Sequence, residues 1–249
     1  MSASKSSTPK SAPSGPAWEH LSESNEHFTP MRVIEPAREV LGEIDLDPAS
    51  CAEANERVRA KRFFTVRDPS HLAAWRGRVF QNPPGGMNDE NFRRVIRKKG
   101  DVEGCVVTGA CGLPPGHTHE GVDSSAKRWW FKLVREWIEE RVEEAIFVGF
   151  SLEMLQTMQV DTPRDGGNLR PLPTPLDVPL CFPQVRVPYD KVGKDGVIVK
   201  GGSPPHASFI AYLPSRPRGN AAATKRSVHD FVKVFSALGQ VVVSEGWSR

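Results

Sequence analysis

The chain has 249 residues, 38% of them hydrophobic, and carries a net charge of +3 with an isoelectric point near 8.7. That length fits one embellished domain with a core, and the mild basicity permits nucleic-acid binding without arguing strongly for it. No apolar run reaches the roughly 20 residues of a membrane span, no apolar segment follows the first lysines as in a secretory signal, and the four scattered cysteines suit a reducing compartment, so the expected location is the cytoplasm.

Residues 1–17, MSASKSSTPKSAPSGPA, are rich in Ser, Pro, Ala and Lys and read as a disordered tail before a domain spanning 18–249. A helix is expected over 30–41, with Thr29 as its N-cap, Pro30 in its first turn and Gly42 closing it. EIDLDPAS (43–50) follows as a very short strand that turns at Asp47-Pro48. CAEANERVRAKR (51–62) reads as a helix that Ser50 can cap. RFFTV and RVFQN are a second and a third strand. This alternation of helix and strand predicts an α/β sheet.

Residues 100–123 are dominated by glycine and proline and read as a long loop excursion. SSAKRWWFKLVREWIEERVEEA (124–145) then sets Trp130, Leu133, Val134, Trp137, Ile138 and Val142 at three- and four-residue steps, an amphipathic helix. AIFVGF is a buried strand and SLEMLQTMQV a helix. VPLCFPQVRV and ASFIAYLP read as later strands that pair with each other. AATKRSVHDFVKVFSALG is a C-terminal helix and QVVVSEG a last strand.

Strand ends carry the groups with chemistry. Ligands of doubly wound sheets bind outside the carboxyl ends of the strands. Asp45 and Asp47 lie at the first end, Asp68 just past the second, and Asn82 at the third. A carboxylate there accepts from ribose hydroxyls or pairs with a ligand ammonium. Of Asp45 and Asp47, Asp47 is the better choice for a ligand. Asn82 before Pro83-Pro84 does different work. Proline offers no N–H, so the Asn82 oxygen and the Pro83 carbonyl make a surface of acceptors, suited to a planar exocyclic amine. The same stretch also reads as a plain strand-to-loop turn.

HFTP (27–30), IDLDPASCAEAN (44–55), RFFTVRD (62–68) and WRGRVFQNPPG (75–85), in this order and spacing, resemble the phage-type DNA adenine-N6 methyltransferases that use S-adenosylmethionine. AIFVGFSLEMLQT, PLCFPQVRV and PPHASFIAYLP extend the likeness over about residues 18–215. The resemblance implies a Rossmann-like α/β fold, mostly parallel with a late antiparallel pair, and double-stranded DNA as partner in the cytoplasm of a bacterial host. It sets Thr29 and Pro30 against the methionine end of the cofactor. Asp47, Pro48 and Ala49 match the shortened cofactor motif, with Asp45 beside it, and Asp68 approaches the adenosine part. Asn82, Pro83, Pro84 and Gly85 match the catalytic tetrapeptide.

The family's fourth tetrapeptide residue is usually aromatic, and here it is Gly85. Enzymes that flip a base stack it on a ring worth roughly 1–3 kcal/mol. Trp129, Trp130, Phe92 and Trp75 are candidate replacements, with Trp129 and Phe92 preferred because Trp130 belongs to the buried stripe. Methylation of cytosine N4 uses the same geometry. An inactive methyltransferase-like DNA-binding protein and a phage accessory protein that kept the fold for protein contacts are the other readings.

The arginines and lysines of ERVRAKR (56–62) and RRVIRKKG (93–100) read either as solvated faces or as a phosphate-contacting rim. Cys105, Cys111, His117 and His119 have zinc-ligand chemistry but match no standard finger, and no metal is expected. Cys51 and Cys181 read as small buried apolar residues, and His206 as a structural or surface residue.

Overall fold

The computed structural model describes residues 28–65, 68, 70, 73–83, 125–160, 172–192, 198–201, 206–216 and 220–248. The predicted tail at 1–17 and the excursion at 100–123 lie outside them. The first helix, α1 (Met31–Leu41), buries Val33, Ile34, Ala37 and Leu41, a stripe at helical spacing. Each such side chain stabilises the fold by roughly 1.5–3 kcal/mol when fully buried. Gly42 ends the helix at φ 73 as expected, but the N-cap is Pro30 rather than Thr29, with no side-chain cap bond. Proline holds extended backbone there without offering a cap oxygen.

Strand β1 (Leu46–Asp47) leads into α2 (Ala52–Val58). The cap of α2 is Cys51, whose sulfur accepts from the Ala54 N–H at 3.4 Å, so Ser50 does not cap it. Cys51 is half-buried for that reason, whereas Cys181 is a buried apolar residue as expected. The helix is shorter than predicted because Arg59 turns into the left-handed region at φ 57, where Ala60 is fastened to the Asn55 side chain. Strands β2 (Arg62–Phe63) and β3 (Gly77–Gln81) follow. Helix α3 (Ser125–Ile138), strand β4 (Val142–Gly149) and helix α4 (Glu153–Val160) come next. Val142 begins β4 rather than continuing the helix. The turn at Glu139–Glu140, with Glu140 at φ 60, frees the chain, and the Gly77 N–H captures the Arg141 carbonyl at 3.0 Å.

The last third supplies β5 (Leu180–Pro183), the hairpin β6 (Lys191–Val192) and β7 (Ile198–Val199), and β8 (Phe209–Leu213). Helix α5 (Ala221–Phe235), strand β9 (Gly239–Val242) and the short α6 (Glu245–Ser248) complete the order. The main sheet has the order β2-β1-β3-β4-β8-β5-β9. β2, β1, β3 and β4 are mutually parallel, and β4/β8, β8/β5 and β5/β9 are antiparallel. Five strands thus run one way, and β8 and β9 run against them. The expected pairing of the two late strands is present as β5/β8, with β9 as one more reversed strand.

Helices cover both faces of the sheet. On one, α1, α2 and α5 bury Val33, Ile34, Val58 and Phe231 against Phe80, Ile146 and Val148. On the other, α3 and α4 bury Trp130, Leu133 and Met158 against Val79, Ala145 and Phe147. Helix α3 is buried beyond its apolar stripe: Lys127, Arg128, Lys132 and Glu136 are buried too. Lys132 pairs with Glu136 and sits over the Trp75 ring at 5.4 Å. Burial pushes its ammonium below the usual lysine value, opposed by Glu136.

Gly77 is the tightest joint at the amino edge. It adopts φ 74, and a Cβ there would meet Asp45 Oδ2 at 2.7 Å. Gly77→Ala is expected to lower stability by about 2 kcal/mol through left-handed strain plus crowding. Urea unfolding checks this, and an unchanged midpoint would contradict it.

Candidate functional site at the carboxyl edge

The strand order reverses beside β1. From β1 the chain passes to one side into β2 and returns on the other side as β3. Such a reversal opens a crevice outside the carboxyl ends, where open α/β sheets take ligands. The β1 end carries Asp47, Pro48 and Ala49, and the β3 end carries Gln81, Asn82 and Pro83.

Register and alternation fix the faces. Leu46 pairs with Val79, so Asp47 is level with Phe80. Val79 belongs to the α3-side core and Phe80 to the α1-side core. Asp47 and Asn82 therefore share the α1 face, two residues apart in level, and Gln81 faces α3. The C-terminal end of α1 meets the amino edge of the sheet, where Arg78 donates to the Leu41 carbonyl at 3.2 Å. Its N-terminal end, with the buried Thr29 and Pro30, points to the carboxyl edge on the same face.

The turn after Asp47 is held from several sides. The Phe64 N–H donates to the Asp47 carbonyl at 3.0 Å, and the Ser50 N–H donates to the Phe64 carbonyl at 2.8 Å. The buried Ser70 hydroxyl donates to the Pro48 carbonyl at 2.7 Å. Asp47 itself is only 3% exposed. Its Oδ1 accepts from the Ala49 N–H at a long 3.2 Å. Burial pushes its carboxyl up to about 7, and the Ala49 N–H and Ser50 hydroxyl offset this only in part. A desolvated carboxylate with so few donors is an acceptor suited to a ligand hydroxyl or ammonium.

Asp45 belongs to the opposite edge. Its Oδ2 accepts from the Arg78 backbone N–H and from Arg78 Nε, both at 2.9 Å, and its Oδ1 accepts from Lys61 at 2.8 Å. Arg78 and Lys61 also pair with Glu43. Burial opposes the Asp45 charge, but Arg78 and Lys61 outweigh it and hold the carboxyl at about 2. The structure thus separates Asp45 from Asp47 and ties it to the joint at Gly77. Asp68 is exposed and closes a turn after β2, accepting from the Thr65 N–H at 2.7 Å and the Thr65 hydroxyl at 2.8 Å. The Thr65 N–H and hydroxyl lower its carboxyl.

Asn82 is half-buried and Pro83 buried. Pro84, Gly85 and Phe92 lie outside the described residues, as do Cys105, Cys111, His117 and His119. Among the described residues no group of three His, Cys, Asp or Glu side chains could hold a metal. His206 is exposed.

Trp129 does not have the expected availability. It is 5% exposed and stacks on Trp75, with ring centroids 5.7 Å apart and planes at 22°. Both rings belong to the α3-side core, on the face away from Asn82. The reason is non-local: Trp75, brought in just ahead of β3, supplies a partner that helical spacing does not reveal.

Two residues at this edge escaped the sequence reading. Gln81 is fully buried, and both atoms of its carboxamide lack a hydrogen-bond partner. Its signal is a polar residue closing an otherwise apolar strand. Tyr189 packs against the α1-side core. Burial pushes its phenol up and Ser208 pulls the other way. Ser208 precedes Phe209, which pairs with Gly149 at the carboxyl end of β4. Tyr189 is thus a ring on Asn82's face of this edge. No protein-family model, no curated protein and no solved structure matches the chain.

Proposed function

We propose that the chain transfers a methyl group from S-adenosylmethionine to an exocyclic amine of DNA, the N6 amine of adenine. The observation that carries this reading is the junction of β1 and β3, where a desolvated Asp47 and Asn82 share one face of the sheet, with Pro83 next in the chain. The five co-directional strands with a reversed strand beside β4 agree with the Rossmann-like architecture that the sequence resemblance implies.

S-adenosylmethionine, when bound, supplies a methyl group already activated on a sulfonium. The residues of the chain provide position and charge. Asp47 accepts from the cofactor's hydroxyl or ammonium donors, and Thr29 and Pro30 close the same face at the start of α1. The Asn82 side-chain oxygen and the Pro83 carbonyl accept the two N–H groups of the amine. They hold its lone pair toward the methyl and stabilise the positive charge that develops on nitrogen.

Asp47→Ala is expected to weaken S-adenosylmethionine binding by at least about tenfold, a loss of about 1.4 kcal/mol or more, while the variant still folds. Calorimetric titration tests this. Unchanged affinity in a folded variant would move the cofactor site away from β1.

A further inference from the structure

A second recess lies beside the start of α1. It has a volume of ≈ 530 Å³ and is lined by Pro30, Arg32, Arg57, Pro188, Asp190, Ile198 and Lys200. That volume matches a nucleotide-sized ligand. Three of the seven lining residues are basic and one is acidic. The acid is already engaged: Arg57 Nη2 bonds Asp190 Oδ2 at 2.7 Å, with both side chains largely buried. Arg32 and Lys200 therefore leave the recess positive. Arg32 Nη2 donates to the Arg186 carbonyl at 3.0 Å, but its Nε is buried with no partner. Arg57 Nη1 is likewise buried and without a partner. Buried guanidinium N–H groups are ordinarily satisfied, and two unpaired ones on arginines that line one recess are costly. The first turn of α1 adds to this, because Pro30 caps it with no side-chain bond and the positive end of the helix dipole remains uncompensated. Pro30, Pro188 and Ile198 provide apolar walls, which strengthen each charge interaction.

We propose that this recess binds one backbone phosphate, with its sugar, of the DNA strand whose base enters the Asn82 site. The inference rests on the methyltransferase reading and adds to it the element that holds the strand. Asp190 pairs with Phe28, and Tyr189 lies one residue before it on Asn82's face, so the recess adjoins the edge where the base would be held. The guanidinium N–H groups of Arg32 and Arg57 offer the planar donors that phosphate oxygens match, and Lys200 supplies an outer charge. Arg57 comes from the basic stretch 56–62, so one of its charges lines a recess rather than a solvated face.

The test compares the full chain with an Arg32→Gln/Lys200→Gln variant, using a fluorescent DNA duplex across a salt series. Expected are about tenfold weaker binding at 0.1 M salt and a log–log salt slope smaller by about one, the loss of one phosphate contact. Cofactor affinity should be unchanged. If the duplex binds both proteins with equal affinity and slope, the recess proposal falls and the methyltransferase reading stands. A variant that loses cofactor affinity instead would assign the recess to the cofactor carboxylate and overturn the proposal. So would inorganic phosphate that binds the wild type alone while DNA affinity stays equal. A wild type that binds no duplex at low salt overturns both. Lys200→Gln alone, an exposed change, is read the same way should the double variant not fold.

Discussion

Asn82→Ala is expected to lower methyl transfer by about a hundredfold to a thousandfold, the usual loss when one preorganised group at a developing charge is removed. Cofactor affinity should stay within about twofold, because the Asn82 oxygen addresses the amine rather than the cofactor; the loss then falls on the chemical step and not on cofactor binding. Fold stability should change little, since Asn82 is half-buried beyond the last paired residue of β3. Single-turnover kinetics with saturating cofactor separates the two effects. A variant that turns over normally would remove Asn82 from the chemistry. A variant that no longer binds cofactor would move it into the cofactor site.

Asp47 should make stability depend on pH in an unusual direction. Its folded carboxyl titrates at about 7, against an ordinary 3.8 in the unfolded chain. Between those values the folded state keeps a proton that the unfolded state has lost. The contribution of Asp47 to stability is therefore full below about pH 4, falls as pH rises toward 7, and stays low above it. Asp47→Asn removes this dependence. Relative to wild type, the variant should gain stability between pH 4.5 and pH 8, by at most about 4 kcal/mol. Denaturant unfolding at the two pH values measures the difference, and a difference that does not change with pH would contradict it. A donor on bound S-adenosylmethionine would draw the same carboxyl down. Binding near pH 6 should then release a proton, seen as a dependence of the calorimetric enthalpy on the ionisation enthalpy of the buffer.

Local chemistry made much of this architecture legible. The β3 strand is a short apolar run halted by Asn-Pro-Pro, and it falls at 77–81. The apolar face of α1 and its closing Gly42 follow from spacing and from glycine's tolerance of positive φ. The pairing of β5 with β8 was readable because both are apolar runs bounded by proline. What escaped was non-local. Nothing in EIDLD says that Arg78, from a different strand, will draw Asp45 to the amino edge and leave Asp47 alone at the other. Nothing in KRWWF says that Trp75 will cover Trp129. Val142 fits a helical stripe as well as a strand. Its pairing with Gly77 decides, through a turn at Glu140 that carries no glycine to announce it. Gln81 and Tyr189 became visible only once burial and strand order were known.

Methyl transfer to DNA itself is the most direct measurement. The purified chain would be incubated with duplex DNA and S-adenosylmethionine labelled in its methyl group, and the DNA digested to nucleosides and separated. The expected result is label in N6-methyldeoxyadenosine, formed at least about a hundredfold more slowly in the Asn82→Ala reaction. A protein that binds the cofactor yet leaves every nucleoside of every duplex unlabelled would contradict methyl transfer as the function of the Asp47 and Asn82 edge.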